Sequence, residues 1–239
     1  MTEESVTLGE LAYACRIYDA MTDYGKSFGE LQNRVDGRPD LEDPDHRRAL
    51  LKWLNAWGCR HLALACHQDV SMELAAWHKI ARGRLPGCVD RLVDMNGAVL
   101  EEFVEIFDHL SSLPAREAVR NGHSYSISFG PTAASKTLFA LRPHVFLAWD
   151  EAIRQGLDHD GSGPSYVQFL KDARHQLGCL AEQCSLRKIE LETLPERLHR
   201  SESTLAQLIG EYYWITITRG VKPPGPTTLQ EWLDWSRET

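Results

Sequence analysis

Apolar residues recur at intervals of three and four along most of this chain, and that period constrains the fold more than any other feature. It is clearest over 98–111, where Val99, Leu100, Phe103, Val104, Ile106, Phe107 and Leu110 share one face and Glu101, Glu102 and Glu105 lie outside it. A stripe of that width predicts a central helix with its apolar side in the core. Alternating runs of the kind that mark half-buried strands are almost absent. The expected fold class is all-α.

The same period and its punctuation lay out the remaining helices. From Thr7 to about Val35 the pattern gives one amphipathic helix, with room for a second after Gly25, and 36–40 is a loop by composition. Asp43 or Asp45 can cap a helix over roughly 45–67, with Pro44 suited to its first turn. Another helix covers about 70–82 and stops at Gly83, before a loop at Pro86-Gly87. Gly130-Pro131 opens a helix that Arg142-Pro143 stops, and Trp149-Asp150 opens the next at Glu151. Residues 158–164 form a turn-rich break, and Ser165 caps a helix to about Gln183. A further helix is expected near 185–199. Ser203 then starts one through Trp214 into the β-branched run 215–218, which weakens it. Beyond the extended 223–226, Thr227 or Thr228 caps a short last helix to Trp235. The expected organisation is one all-helical domain over 1–239, with N-terminal helices in 1–42, a core segment at 98–157 and a C-terminal extension at 201–239.

Composition narrows the class of function. With 239 residues, 43% apolar and 25% charged, the chain suits a globular domain with a real core. Its apolar stretches fall short of the roughly 20 residues that span a bilayer. The acidic start, Met-Thr-Glu-Glu-Ser, lacks the features of a secretory signal, so no membrane partner and a cytoplasmic location are expected. Cys15, Cys59, Cys66, Cys88, Cys179 and Cys184 read as reduced thiols. Cys59, His61, Cys66 and His67 suggest zinc, but on a single helix positions 59 and 66 would be about 10 Å apart along the axis, too far for one tetrahedral ion. No metal and no other cofactor is expected; no Walker loop, dinucleotide fingerprint, GxSxG or HExxH occurs. A net charge of −8 opposes indiscriminate coating of nucleic acid and leaves room for a local basic patch. Oligomeric state is not legible.

Chemistry is concentrated in 126–154. The turn Ser-Ile-Ser-Phe-Gly-Pro-Thr-Ala-Ala supplies a glycine for close backbone approach and small residues for tight packing of the helix that follows. With Trp149-Asp150-Glu151-Ala152-Ile153-Arg154 in register behind it, the segment resembles the hairpin and Asp-containing segment of the helix-hairpin-helix DNA glycosylase superfamily. The resemblance implies that family's helical fold, with added terminal helices, and a DNA partner. It implies Asp150 as the catalytic carboxylate, and Ser128, Gly130, Thr132, Lys136 and Arg154 as contacts to the nucleic-acid backbone. Ser128 replaces the first hairpin glycine. Thr132 stands where members with strand-cleaving activity carry a Schiff-base lysine, so a monofunctional N-glycosylase is implied. Lys136 follows one helical turn later, on what reads as a different part of the surface.

Each of these residues also has a plainer reading. Asp150 is well suited to cap the helix at Glu151. Trp149 and Phe146 line a base pocket or belong to the core. Trp53 and Trp57 make one helical stripe; Asn55 and Arg60 in the same helix are candidates for substrate contact. Arg142 is a further candidate for backbone phosphate. Glu211, among Tyr212, Tyr213 and Trp214, is a second carboxylate that Asp150 could meet. The functions compatible with the sequence are base-excising N-glycosylase and a non-catalytic helical binding or regulatory module of the same fold. A third is a helical protein-interaction domain whose hairpin is coincidental.

Overall fold

A computed structural model describes residues 5–62, 67–120, 123–225 and 227–228. Helices dominate: α1 (Leu8–Met21), α2 (Tyr24–Arg34), α3 (Pro44–Ala56), α4 (His67–Ala81), α5 (Gly97–Glu101), α6 (Phe103–Ser112), α7 (Gly130–Leu141), α8 (Glu151–Gly156), α9 (Gly163–Leu186), α10 (Leu194–Arg197) and α11 (Leu205–Tyr213). None is long and apolar enough to cross a membrane among the described residues. Most start on a side chain that accepts an otherwise unpaired amide. Thr7 and Glu10 form a reciprocal capping box, Asp43 takes the amides of Asp45 and His46, and Asn96 that of Val99.

The boundaries depart from the periodicity where the backbone turns. The 7–35 stretch is two helices, broken where Thr22 becomes extended. The helix expected over 45–67 ends at Ala56, because Gly58 takes a left-handed φ of 91°. The seven-residue rise used against a zinc site at Cys59 and Cys66 therefore has no helix to act along, and Cys66 lies outside the described residues. The central 98–111 stretch splits around Glu102 into α5 and α6. Ser162, not Ser165, caps α9, which runs on to Leu186. Little helix forms over 185–199: Lys188 and His199 have positive φ, and only a short 3₁₀ turn and α10 remain. Thr204, not Ser203, caps α11. The helix expected to run from Thr227 or Thr228 to Trp235 falls mostly outside the described residues.

The largest correction is a β-hairpin where no strand was expected. Strands β1 (Pro114–Arg120) and β2 (His123–Ser128) pair antiparallel, with Arg116 opposite Ile127 and Ala118 opposite Tyr125. β2 is exposed at every position except Ile127, which is half-buried, so neither of its faces carries the apolar set that makes alternation visible. A strand, not a helix, thus leads into the Gly130 turn.

Helix α6 packs on α7 and α9, α3 on α4 and α7, and α1 on α11. In α7, every residue from Ala133 to Leu141 is buried. Phe107 stacks on Tyr166 at 4.3 Å, and Phe146 meets Phe103 edge-on at 4.9 Å. This core holds the N-termini of α7 and α8 beside the C-terminal ends of α3 and α11.

Candidate functional site

Where those ends meet lies a cavity of ≈ 650 Å³. Tyr24, Trp57, Phe139, Trp149 and Trp214 give it aromatic walls, and its polar groups include Lys136, Asp150 and Glu211. Such a mixture, with wide apolar faces and few polar groups, suits a planar ligand. Trp57 belongs both to the wall and to an aromatic cluster with Trp53 at 4.3 Å and Tyr24 at 5.3 Å. The base of one wall is irregular backbone. After α11 the β-branched run Trp214–Thr218 winds as a π-helical turn, a form often found beside functional sites.

Asp150 performs the capping role and faces the cavity at once. Its Oδ1 accepts the Ile153 amide at 2.9 Å, closing the first turn of α8. The Thr218 hydroxyl reaches the same carboxylate, 3.1 Å from Oδ1 and 3.0 Å from Oδ2. One carboxylate is therefore fixed by two elements far apart in sequence.

Lys136 is not on a separate surface. It is 9% exposed, its Nζ donates to the Trp57 carbonyl, and it lines the cavity that Asp150 lines. Burial lowers its pKa; the charges of Cys59 and Asp150 oppose that shift. A lysine enclosed in this way does not stand on the outer surface where the contact to a phosphate backbone was expected, which corrects that placement. No family model, curated protein or solved structure matches this chain. The site's meaning thus rests on its own geometry.

The other expected residues divide by position. Ser128 ends β2 at the cavity rim, and Gly130, with φ 79°, turns the chain into α7 there. Thr132 also lines the cavity and accepts from Arg154 Nη1 at 2.9 Å. Arg154 is thereby held over the Trp149 ring at 5.7 Å. Trp149 is buried and lines the cavity, with its Nε1 donating to the Pro131 carbonyl. Phe146 is core, not wall. Asn55 is turned to the Leu62 carbonyl, exposed Arg60 is not among the lining residues, and Arg142 is tied to the carbonyls of Pro86 and Leu141.

Glu211 does join Asp150 in the cavity lining. It is buried against Arg200 at 2.5 Å and Gln207 at 3.1 Å. Burial raises its pKa to about 7, with Arg200 and Gln207 pulling the other way. Sequence reasoning missed Thr218 and the placement of Lys136. The lysine did leave a signal: Thr132, Ser135 and Lys136, at i, i+3 and i+4, give the largely apolar α7 one short polar stripe, and Thr132 and Lys136 both line the cavity.

Proposed function

We propose that this cavity is the active site of a DNA glycosylase-like enzyme that releases a base from nucleic acid. The observation that carries the proposal is the meeting of the Asp150 carboxylate and the Lys136 amine in one aromatic-walled cavity. Aromatic walls can stack an extruded base, and the Gly130 turn lies at the rim where its backbone would pass. Asp150 would stabilise positive charge developing on the sugar as the C1′–N bond breaks.

Lys136 extends the chemistry beyond what Thr132 implied. Its neutral Nζ can form a bond to C1′ as the base departs with the electrons of the broken C1′–N bond and takes up a proton. Loss of a proton from nitrogen and opening of the ring then gives an imine. Desolvation favours the neutral amine this step needs. The monofunctional reading follows from position 132 alone; the enclosed amine favours a bifunctional enzyme.

One observation favours the non-catalytic alternative. The chain carries net charge −8, and Lys136, Arg142 and Arg154 each donate to a partner inside the protein. A binding module of this fold with a small planar ligand needs no basic surface. The deciding experiment is base release from a panel of damaged duplexes and single strands, with wild type, Asp150→Asn and Lys136→Gln, plus borohydride trapping. Release that survives Asp150→Asn removes Asp150 from the mechanism. Absence of release and of trapped adduct across the panel selects the binding module.

A further inference from the structure

A second cluster, away from the cavity, joins the loop before α3 to the C-terminal half of α4. Asp40, Glu42 and His78 each offer a ligand atom there, all within 4.8 Å of one another. The imidazole is the informative member. His78 is 5% exposed, and its buried Nδ1 has no hydrogen-bond partner. That nitrogen faces Asp40 Oδ1 at 3.6 Å, beyond hydrogen-bonding distance. An orphaned buried ring nitrogen is costly unless something satisfies it.

We propose that Asp40, Glu42 and His78 bind a first-row divalent cation of the zinc class. One imidazole nitrogen and two carboxylate oxygens make a donor set that suits Zn²⁺, and the imidazole disfavours Ca²⁺ and Mg²⁺. Ligand bonds of about 2.0–2.2 Å require the three donors to draw closer than they stand. The carboxylates can do this, because both side chains are substantially exposed while His78 is held by the fold. Their present partners leave them capacity: Asp40 Oδ1 accepts the Glu42 amide at 2.9 Å, and Glu42 Oε1 pairs with Arg82 at 2.5 Å, so each keeps a second oxygen. Water would complete the coordination on the exposed side. The bound ion would fasten the 36–43 loop to α4 and needs nothing from the cavity around Asp150.

The test uses the full chain freed of metal, titrated with ZnCl₂ or MgCl₂ by calorimetry and followed by thermal unfolding. Wild type is compared with Asp40→Asn/Glu42→Gln, which alters only exposed side chains, and with His78→Ala. Wild type should take up about one Zn²⁺ more than either variant, and Zn²⁺ should raise its Tm by a few degrees, roughly, more than theirs. Equal zinc uptake and equal Tm shifts in wild type and the double variant would overturn the site and leave His78–Asp40 as an ion pair only. An equal response of wild type to Mg²⁺ would overturn the selection by imidazole.

Discussion

The Thr218 hydroxyl sits 3.1 and 3.0 Å from the two oxygens of Asp150, so the π-helical turn after α11 holds the carboxylate that caps α8. Removing that hydroxyl leaves the cap intact and frees the outer end of the carboxylate. In Thr218→Val, base release should fall roughly fivefold, matching loss of a hydrogen bond worth about 1 kcal/mol. Tm should change little. Single-turnover kinetics beside a melting curve check both halves, and an unchanged rate would deny Thr218 its positioning role.

Lys136 should behave as an amine active below the usual lysine range. Burial disfavours its charged form, so the neutral nucleophile emerges at lower pH than on an exposed lysine. Borohydride trapping to an abasic-site duplex should rise with pH to a midpoint below that of free lysine. Lys136→Gln should abolish the adduct. Mass spectrometry of the trapped peptide locates the attachment.

Glu211 makes stability fall as pH rises. Its pKa is about 7 in the folded chain and near 4.5 unfolded, so the folded state binds more protons between those values. Stability is then greatest below pH 4.5 for this group alone and declines up to about pH 7, by about 1–3 kcal/mol. Urea melts at several pH values should show this slope in wild type. Glu211→Gln should flatten it, even though the substitution weakens the pairing with Arg200.

Gly163 allows α9 to start against α6. A Cβ there would come within 2.5 Å of the Val104 carbonyl and 2.8 Å of Asp108, whose Oδ1 accepts the Gly163 amide at 2.6 Å. Gly163→Ala should destabilise by about 1–3 kcal/mol, as overpacking does, and lower Tm by several degrees. Gly130→Ala meets open space but a φ of 79°, so about 1 kcal/mol of backbone strain is the expected cost.

Sequence periodicity located most helices because their buried stripes repeat, as Phe103, Ile106, Phe107 and Leu110 do on α6. It missed β1 and β2 because β2 is exposed at every position but Ile127 and β1 buries only the small Ala115, so neither strand carries an alternating apolar signal. Helix ends moved where one residue adopted positive φ, as at Gly58 and Lys188, where the next amide bonds back to the last turn, Cys59 to the Leu54 carbonyl and Ile189 to that of Cys184. The candidate site was half legible. Asp150 stood out through its cap position beside Trp149, whereas its bond from Thr218 and its place in one cavity with Lys136 and Glu211 depend on elements far apart in sequence. Arg60 and Asn55 looked unusual on a helix, yet exposure and a local carbonyl account for them.

The exposed ribbon that ends at Ser128 separates two kinds of evolutionary freedom. Ile127 and Ser128 line the cavity from the ribbon, while Lys136 lies on the buried helix α7 and Asp150 is fixed by the Ile153 amide and the Thr218 hydroxyl. The side chains of β2 before Ile127 are exposed, so changes there meet few packing demands, whereas Ala115 of β1 is buried in the core. On the proposed reading, substitutions at that edge would alter what enters the cavity while leaving the carboxylate and the amine in place.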